Sequence, residues 1–152
     1  MGNSRRWPVL LLALAFLAPL GVAAAQARPS GAVAATTPGP GSSQRTALLD
    51  ALRRQLKSTS RFKVDHVRVA GRWAFVRATE VVPLDGNELQ ETDLSIAALL
   101  EQPAGSPAGG WRVADYWTLP GESERPLAAF TRRVRERVRV EGLPTGFLPG
   151  DL

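Results

Sequence analysis

The chain has 152 residues, of which 44% are hydrophobic and 22% charged, with a formal net charge of +5. That length allows one domain, and the balance is that of a globular protein, not of a disordered tail or a coiled coil. The absence of cysteine excludes disulfides, thiol catalysis, cysteine-based zinc sites and a lipid-anchored lipoprotein, so the fold has to rely on its apolar core.

Residues 1–27 have the layout of a cleavable signal peptide. Arg5 and Arg6 form a positive start, residues 7–22 are apolar, and Ala23-Ala24-Ala25-Gln26-Ala27 offers Ala-x-Ala twice, so cleavage after Ala25 or after Ala27 fits equally well. The apolar run is shorter than the roughly 20 residues a membrane span needs. The expectation is a periplasmic or secreted protein with no stable membrane insertion after cleavage. Losing Arg5 and Arg6 lowers the 19 basic residues to 17 against 14 acidic ones, a mild net charge of +3 that does not indicate nucleic acid. Residues 28–43 are Pro, Gly, Ala, Ser and Thr with little charge and few large apolar groups, a composition expected of a flexible linker. The folded domain is expected over 44–152.

Within it, 46–57 reads as a helix, with Leu48, Leu49, Leu52 and Leu56 on one face and Ser42 or Ser43 available as cap. The period then changes to two. Residues 62–69 and 73–82 form a hairpin around Gly71, and the alternation slips between the pairs Phe62/Val64 and Val67/Val69, which calls for a bulge near Asp65-His66. Residues 93–101 and 111–119 read as third and fourth strands joined by a Gly- and Pro-rich loop, although Ala and Leu make helix the competing reading for 93–101. Residues 124–140 form a second helix with Leu127, Phe130, Val134 and Val138 at helical spacing, stopped by Gly142 and Pro144. Residues 143–152 are expected as an extended tail against the domain. The predicted class is α+β: an N-terminal helix, a four-stranded antiparallel meander whose apolar face the helices cover, and a C-terminal helix.

The run Thr46-Ala-Leu-Leu-Asp-Ala-Leu-Arg, the strands around Phe62-Lys-Val and Val67-Arg-Val, Gly71-Arg-Trp-Ala-Phe-Val, Trp111-Arg-Val with Tyr116-Trp117, and the ending Val140-Glu-Gly-Leu-Pro-Thr-Gly-Phe-Leu-Pro together resemble a group of small secreted bacterial proteins without assigned activity. The resemblance spans 46–149. It implies a cystatin-like or NTF2-like fold and an exported location, and it carries no catalytic residue.

No motif specifies a reaction or a cofactor. His66 is the only histidine and lacks partners for a triad or a zinc site, so it reads as a solvent-facing structural residue. Asp85-Gly86-Asn87-Glu88 with Glu91 and Asp93 gathers oxygen ligands but lacks the spacing of a calcium loop and reads as turn chemistry. Asp115 and Tyr116 are the acid–base candidates if a cavity lies between sheet and helices, with solvent-facing Asp115 the plainer reading. Arg132, Arg133, Arg135, Arg137 and Arg139 make a dense basic helical face, an anion-docking candidate for which a solvated face is the simpler explanation. Trp73 and Phe75 share one face of their strand and Ala74, Val76 and Ala78 the other, so the sheet is apolar on both sides. The aromatic side needs its own cover, from the tail, a second subunit or another protein. The candidate interaction surface is therefore Trp73 and Phe75 with Arg132, Arg133, Arg135 and Arg137. The functional expectation is an exported, non-catalytic binding or accessory module with a homodimer or protein partner on the sheet face. An enzyme with an NTF2-like cavity and a secreted inhibitor of a hydrolase are the alternatives.

Overall fold

The computed structural model describes residues 33–84, 88–107, 109–120 and 126–152. The expected signal peptide, the start of the 28–43 linker, Asp85, Gly86 and Asn87 of the oxygen-rich loop, and residues 124–125 of the expected second helix lie outside the described residues. The elements run α1 (Ser43–Leu56), β1 (Arg61–Ala70), β2 (Trp73–Pro83), β3 (Leu89–Glu101), β4 (Arg112–Leu119) and α2 (Leu127–Val140). The strands form one antiparallel sheet in the order β1-β2-β3-β4, so the chain is α+β with a meander sheet. No helix among the described residues is long and apolar enough to cross a membrane.

Helix α1 begins where the Ser42 hydroxyl accepts the Arg45 amide at 3.2 Å, which satisfies one of the free N–H groups of the first turn. It ends at Lys57, whose φ of 52° turns the chain left-handed and returns its amide to the last helical carbonyls. The β1–β2 turn needs only Gly71, at φ 58°, to take a positive φ.

Three register shifts decide which side chains face which layer. In β1 the pairing jumps from Val64↔Ala78 to His66↔Arg77, leaving Asp65 unpaired; this is the expected bulge, and it keeps Phe62, Val64, Val67 and Val69 on one face. In β4 the jump from Leu99↔Asp115 to Leu100↔Val113 makes Ala114 the extra residue. Val113 and Tyr116 then face one layer and Trp117 the other. Between β2 and β3 the register moves from Thr79↔Ser95 to Val81↔Glu91, so Thr92, Asp93 and Leu94 stand against Glu80 alone. Such bulges increase local twist and bend the strand.

The sheet is apolar on both sides, and each side has its own cover. One core joins Leu48, Ala51 and Leu52 of α1 to Val67, Val69, Ala74, Val76, Ala78, Ile96, Ala98, Leu100 and Trp111. The other joins Trp73, Phe75, Ala97 and Leu99 to Phe130 and Val134 of α2 and to Phe147 of the tail. This corrects the expectation that both helices cover a single face. Phe75, Phe130 and Phe147 are fully buried, and withdrawing each such ring from water contributes about 1.5–3 kcal/mol. The tail is not extended either: hydrogen bonds from Phe147 to the Pro144 carbonyl and from Leu152 to the Pro149 carbonyl fold it into turns, with Gly146 at φ 81°. Within the stretch expected as a linker, Thr36 exchanges two backbone hydrogen bonds of 2.8 Å with Val69, Pro38 is buried, and Ala35 packs on the aromatic core. That part of the chain lies along the edge of β1.

Candidate functional site

The aromatic residues proposed from sequence as a surface are interior. Trp73 is 4% exposed and Phe75 fully buried, because α2 and residues 143–152 lie over them. The expected interaction surface is corrected on this point: these two rings are core, and the chain itself supplies their cover. Trp73 is flanked by two guanidinium groups, Arg72 at 5.6 Å and Arg137 at 5.4 Å from its ring. Glu101, at the end of β3, pairs in turn with Arg72 and Arg112. Cation–π contacts of this kind are worth about 0.5–1 kcal/mol where they are partly solvated.

His66 is also displaced from its expected role. The bulge at Asp65 turns it toward the tail, where it is half-buried. Its Nε2 lies 3.1 Å from the Phe147 carbonyl oxygen, and its ring meets Phe75 edge-on at 5.9 Å. His66 is thus not solvent-facing; it fastens the tail. A second fastening joins Arg77 to Asp151 at 2.6 Å, and the Arg77 guanidinium holds the Asp151 carboxyl below its ordinary range.

Asp115 and Tyr116 point to opposite layers. Tyr116 packs in the α1-side core. Asp115 takes both forks of the Arg133 guanidinium, at 2.7 and 2.9 Å, with its side chain 19% exposed. It is neither solvent-facing nor placed beside Tyr116 in one cavity. A bidentate, half-buried pair of this kind locks α2 against β4. No group of three metal-ligating side chains occurs among the described residues.

An open groove of about 1440 Å³ remains, running along α2. Leu99, Ala114 and Asp115 contribute from the sheet, and Leu127, Ala128, Val140 and the arginines from the helix. Leu127 and Val140 are exposed although apolar, so α2 presents grease at both of its ends. The expected arginine face lines this groove, and the structure sorts its members. Arg133 is held by Asp115, and Arg137 lies over Trp73 and reaches Glu141 at 3.5 Å. Arg139 pairs with Glu136 one turn away, an exposed contact that lowers the Glu136 carboxyl. Arg135 donates to the Leu152 carbonyl. Arg132 is exposed and has no acidic partner among the described residues. Arg133 and Arg137 are therefore structural, while Arg132, Arg135 and Arg139 form the basic rim.

Sequence reasoning found the arginine run but missed the groove, since the sheet residues that complete it lie far away along the chain. Comparison with protein-family models, with curated proteins and with solved structures finds no match.

Proposed function

We propose that this chain is an exported, non-catalytic binding or accessory module whose working surface is the groove along α2. The observation that carries this reading is the groove itself: an apolar trough about 1440 Å³ in volume with exposed Leu127 and Val140 and a rim of Arg132, Arg135 and Arg139. Grease beside guanidinium groups is the composition of a protein-binding patch, where arginine supplies directional contacts and apolar area supplies the driving force. The groups an enzyme would need support the same reading, because each is already engaged. His66 is bonded to a backbone carbonyl, Asp115 is neutralised by Arg133, and Tyr116 packs on the other side of the sheet. The amino-terminal signal-peptide pattern supports the exported location.

Site-specific photo-crosslinking in producing cells tests the binding surface. A photoreactive residue in place of Arg132 is expected to form discrete adducts, and one in place of Gln55, on the outer side of α1, is not. Equal labelling at both positions, or none at 132, would contradict the proposal. Amino-terminal sequencing of the chain recovered from the medium or periplasm is expected to start at Gln26 or Arg28; an intact Met1 would remove the exported half of the reading.

A further inference from the structure

We infer that the groove along α2 binds an acidic, amphipathic segment of a partner protein, its apolar side chains on the floor and its carboxylates on the arginine rim. This rests on the reading of the groove as the binding surface and names the chemistry of its occupant.

The distribution of charge carries the inference. Five arginines and two acids, Asp115 and Glu136, line the groove. Outside it, residues 28–152 hold twelve basic and twelve acidic side chains. The whole excess of positive charge in that part of the chain therefore sits along one trough, where charges of one sign between low-dielectric walls focus the field. Arg133 and Arg137 are committed within the fold, to Asp115 and to Trp73. Arg132, Arg135 and Arg139 are exposed. Arg132 has no acidic partner among the described residues. Arg135 gives one nitrogen to the Leu152 carbonyl and keeps the rest of its donor fork. Arg139 is paired with Glu136, both side chains being more than half exposed, and a pair so exposed exchanges partners at little cost.

Helical spacing sets the pattern the ligand has to match. Residues 132, 135 and 139 lie three and four apart, so their side chains follow one side of α2 over about 10 Å. A helical segment with carboxylates at the same spacing meets them one for one. The floor decides the class of ligand. Ala114, the bulged residue of β4, and Leu127 and Ala128 of α2 line the groove as exposed apolar side chains. A phosphate polymer has no apolar group to set on that floor, and a flat bilayer surface does not enter a trough. The volume of about 1440 Å³ also exceeds the roughly 300–1,000 Å³ of small-ligand pockets. A polypeptide with both leucine and carboxylate satisfies floor and rim together.

Fluorescence anisotropy on the purified chain tests this. The probe is a labelled helical peptide of leucine, alanine and glutamate, its glutamates at three- and four-residue spacing. Saturable binding that weakens as salt is raised is expected. Arg132→Gln with Arg139→Gln is expected to weaken it roughly five- to tenfold. Arg61→Gln with Lys63→Gln removes the same charge from exposed positions on β1 and is expected to change it by less than about twofold. Circular dichroism is expected to be unchanged in both variants. Equal losses in the two variants, or no binding of the peptide, overturn the inference. So does groove-dependent binding of polyphosphate or of phosphatidylglycerol vesicles that is tighter than that of the peptide. If the peptide fails to bind while residue 132 still crosslinks to another protein, the chemistry assigned to the occupant is wrong and the groove stands. If both signals are absent, the groove reading falls as well.

Discussion

Glu80 shows how single residues tie the elements together. It stands alone against the β3 bulge, with its carboxylate accepting the Ser58 and Thr92 hydroxyls at 3.1 Å each. The Ser60 hydroxyl, then those of Thr92 and Ser58, hold it below the ordinary carboxylate range against an opposing desolvation. The folded state therefore binds a proton less readily than the unfolded chain. Its contribution to stability is complete above the unfolded value and is lost as pH falls through the lower folded one. Denaturant titrations of wild type and Glu80→Gln are expected to diverge at neutral pH and converge in acid; a gap constant with pH would contradict the assignment. Lys57 makes the opposite case. Its positive φ costs a non-glycine residue about 1 kcal/mol, so Lys57→Gly is expected to raise Tm by a few degrees, read by thermal denaturation. Neither effect was legible in the sequence: the αL cap has no marker when lysine occupies it, and the three hydroxyls reach Glu80 from the α1–β1 connection and from β3.

At the scale of elements, the tail is the part whose role changed most. Phe147 between prolines marked it as packed, but nothing local told that it would fold into turns over Trp73 and Phe75. Once there, it completes a core, so Phe147→Ala is expected to cost about 3–5 kcal/mol, measured by urea denaturation, and a loss below 1 kcal/mol would show the tail to be an ornament. Trp73→Ala belongs to the same class. Lying in the core between two guanidinium groups, it is expected to destabilise the fold by a similar amount and not merely to weaken a surface contact. The strands and both helices were readable because alternation and helical spacing are local, and the bulge at Asp65 was readable because the phase of Phe62/Val64 and Val67/Val69 slips within one strand. The side of the sheet that each helix chooses was not: amphipathicity tells which face of a helix is buried, and is silent on what it is buried against.

Across the whole molecule, an apolar sheet with two separate covers explains why a cysteine-free chain builds two cores about one meander. With the aromatic layer buried inside the chain, exposed apolar side chains lie elsewhere, among them Leu127 and Val140 on α2 and Leu84 and Leu89 beside the β2–β3 connection. The basic rim was visible in the sequence as a run of arginines, yet its division into structural and available members depends on Asp115 and Trp73, which only the fold brings within reach of Arg133 and Arg137. Hydroxyl-radical footprinting of the purified chain tests this arrangement most directly. Near-background oxidation of Trp73, Phe75 and Phe147 with strong oxidation of Leu127 and Val140 is the predicted result, and heavy labelling of Trp73 and Phe75 would show that the aromatic layer is open and the account wrong.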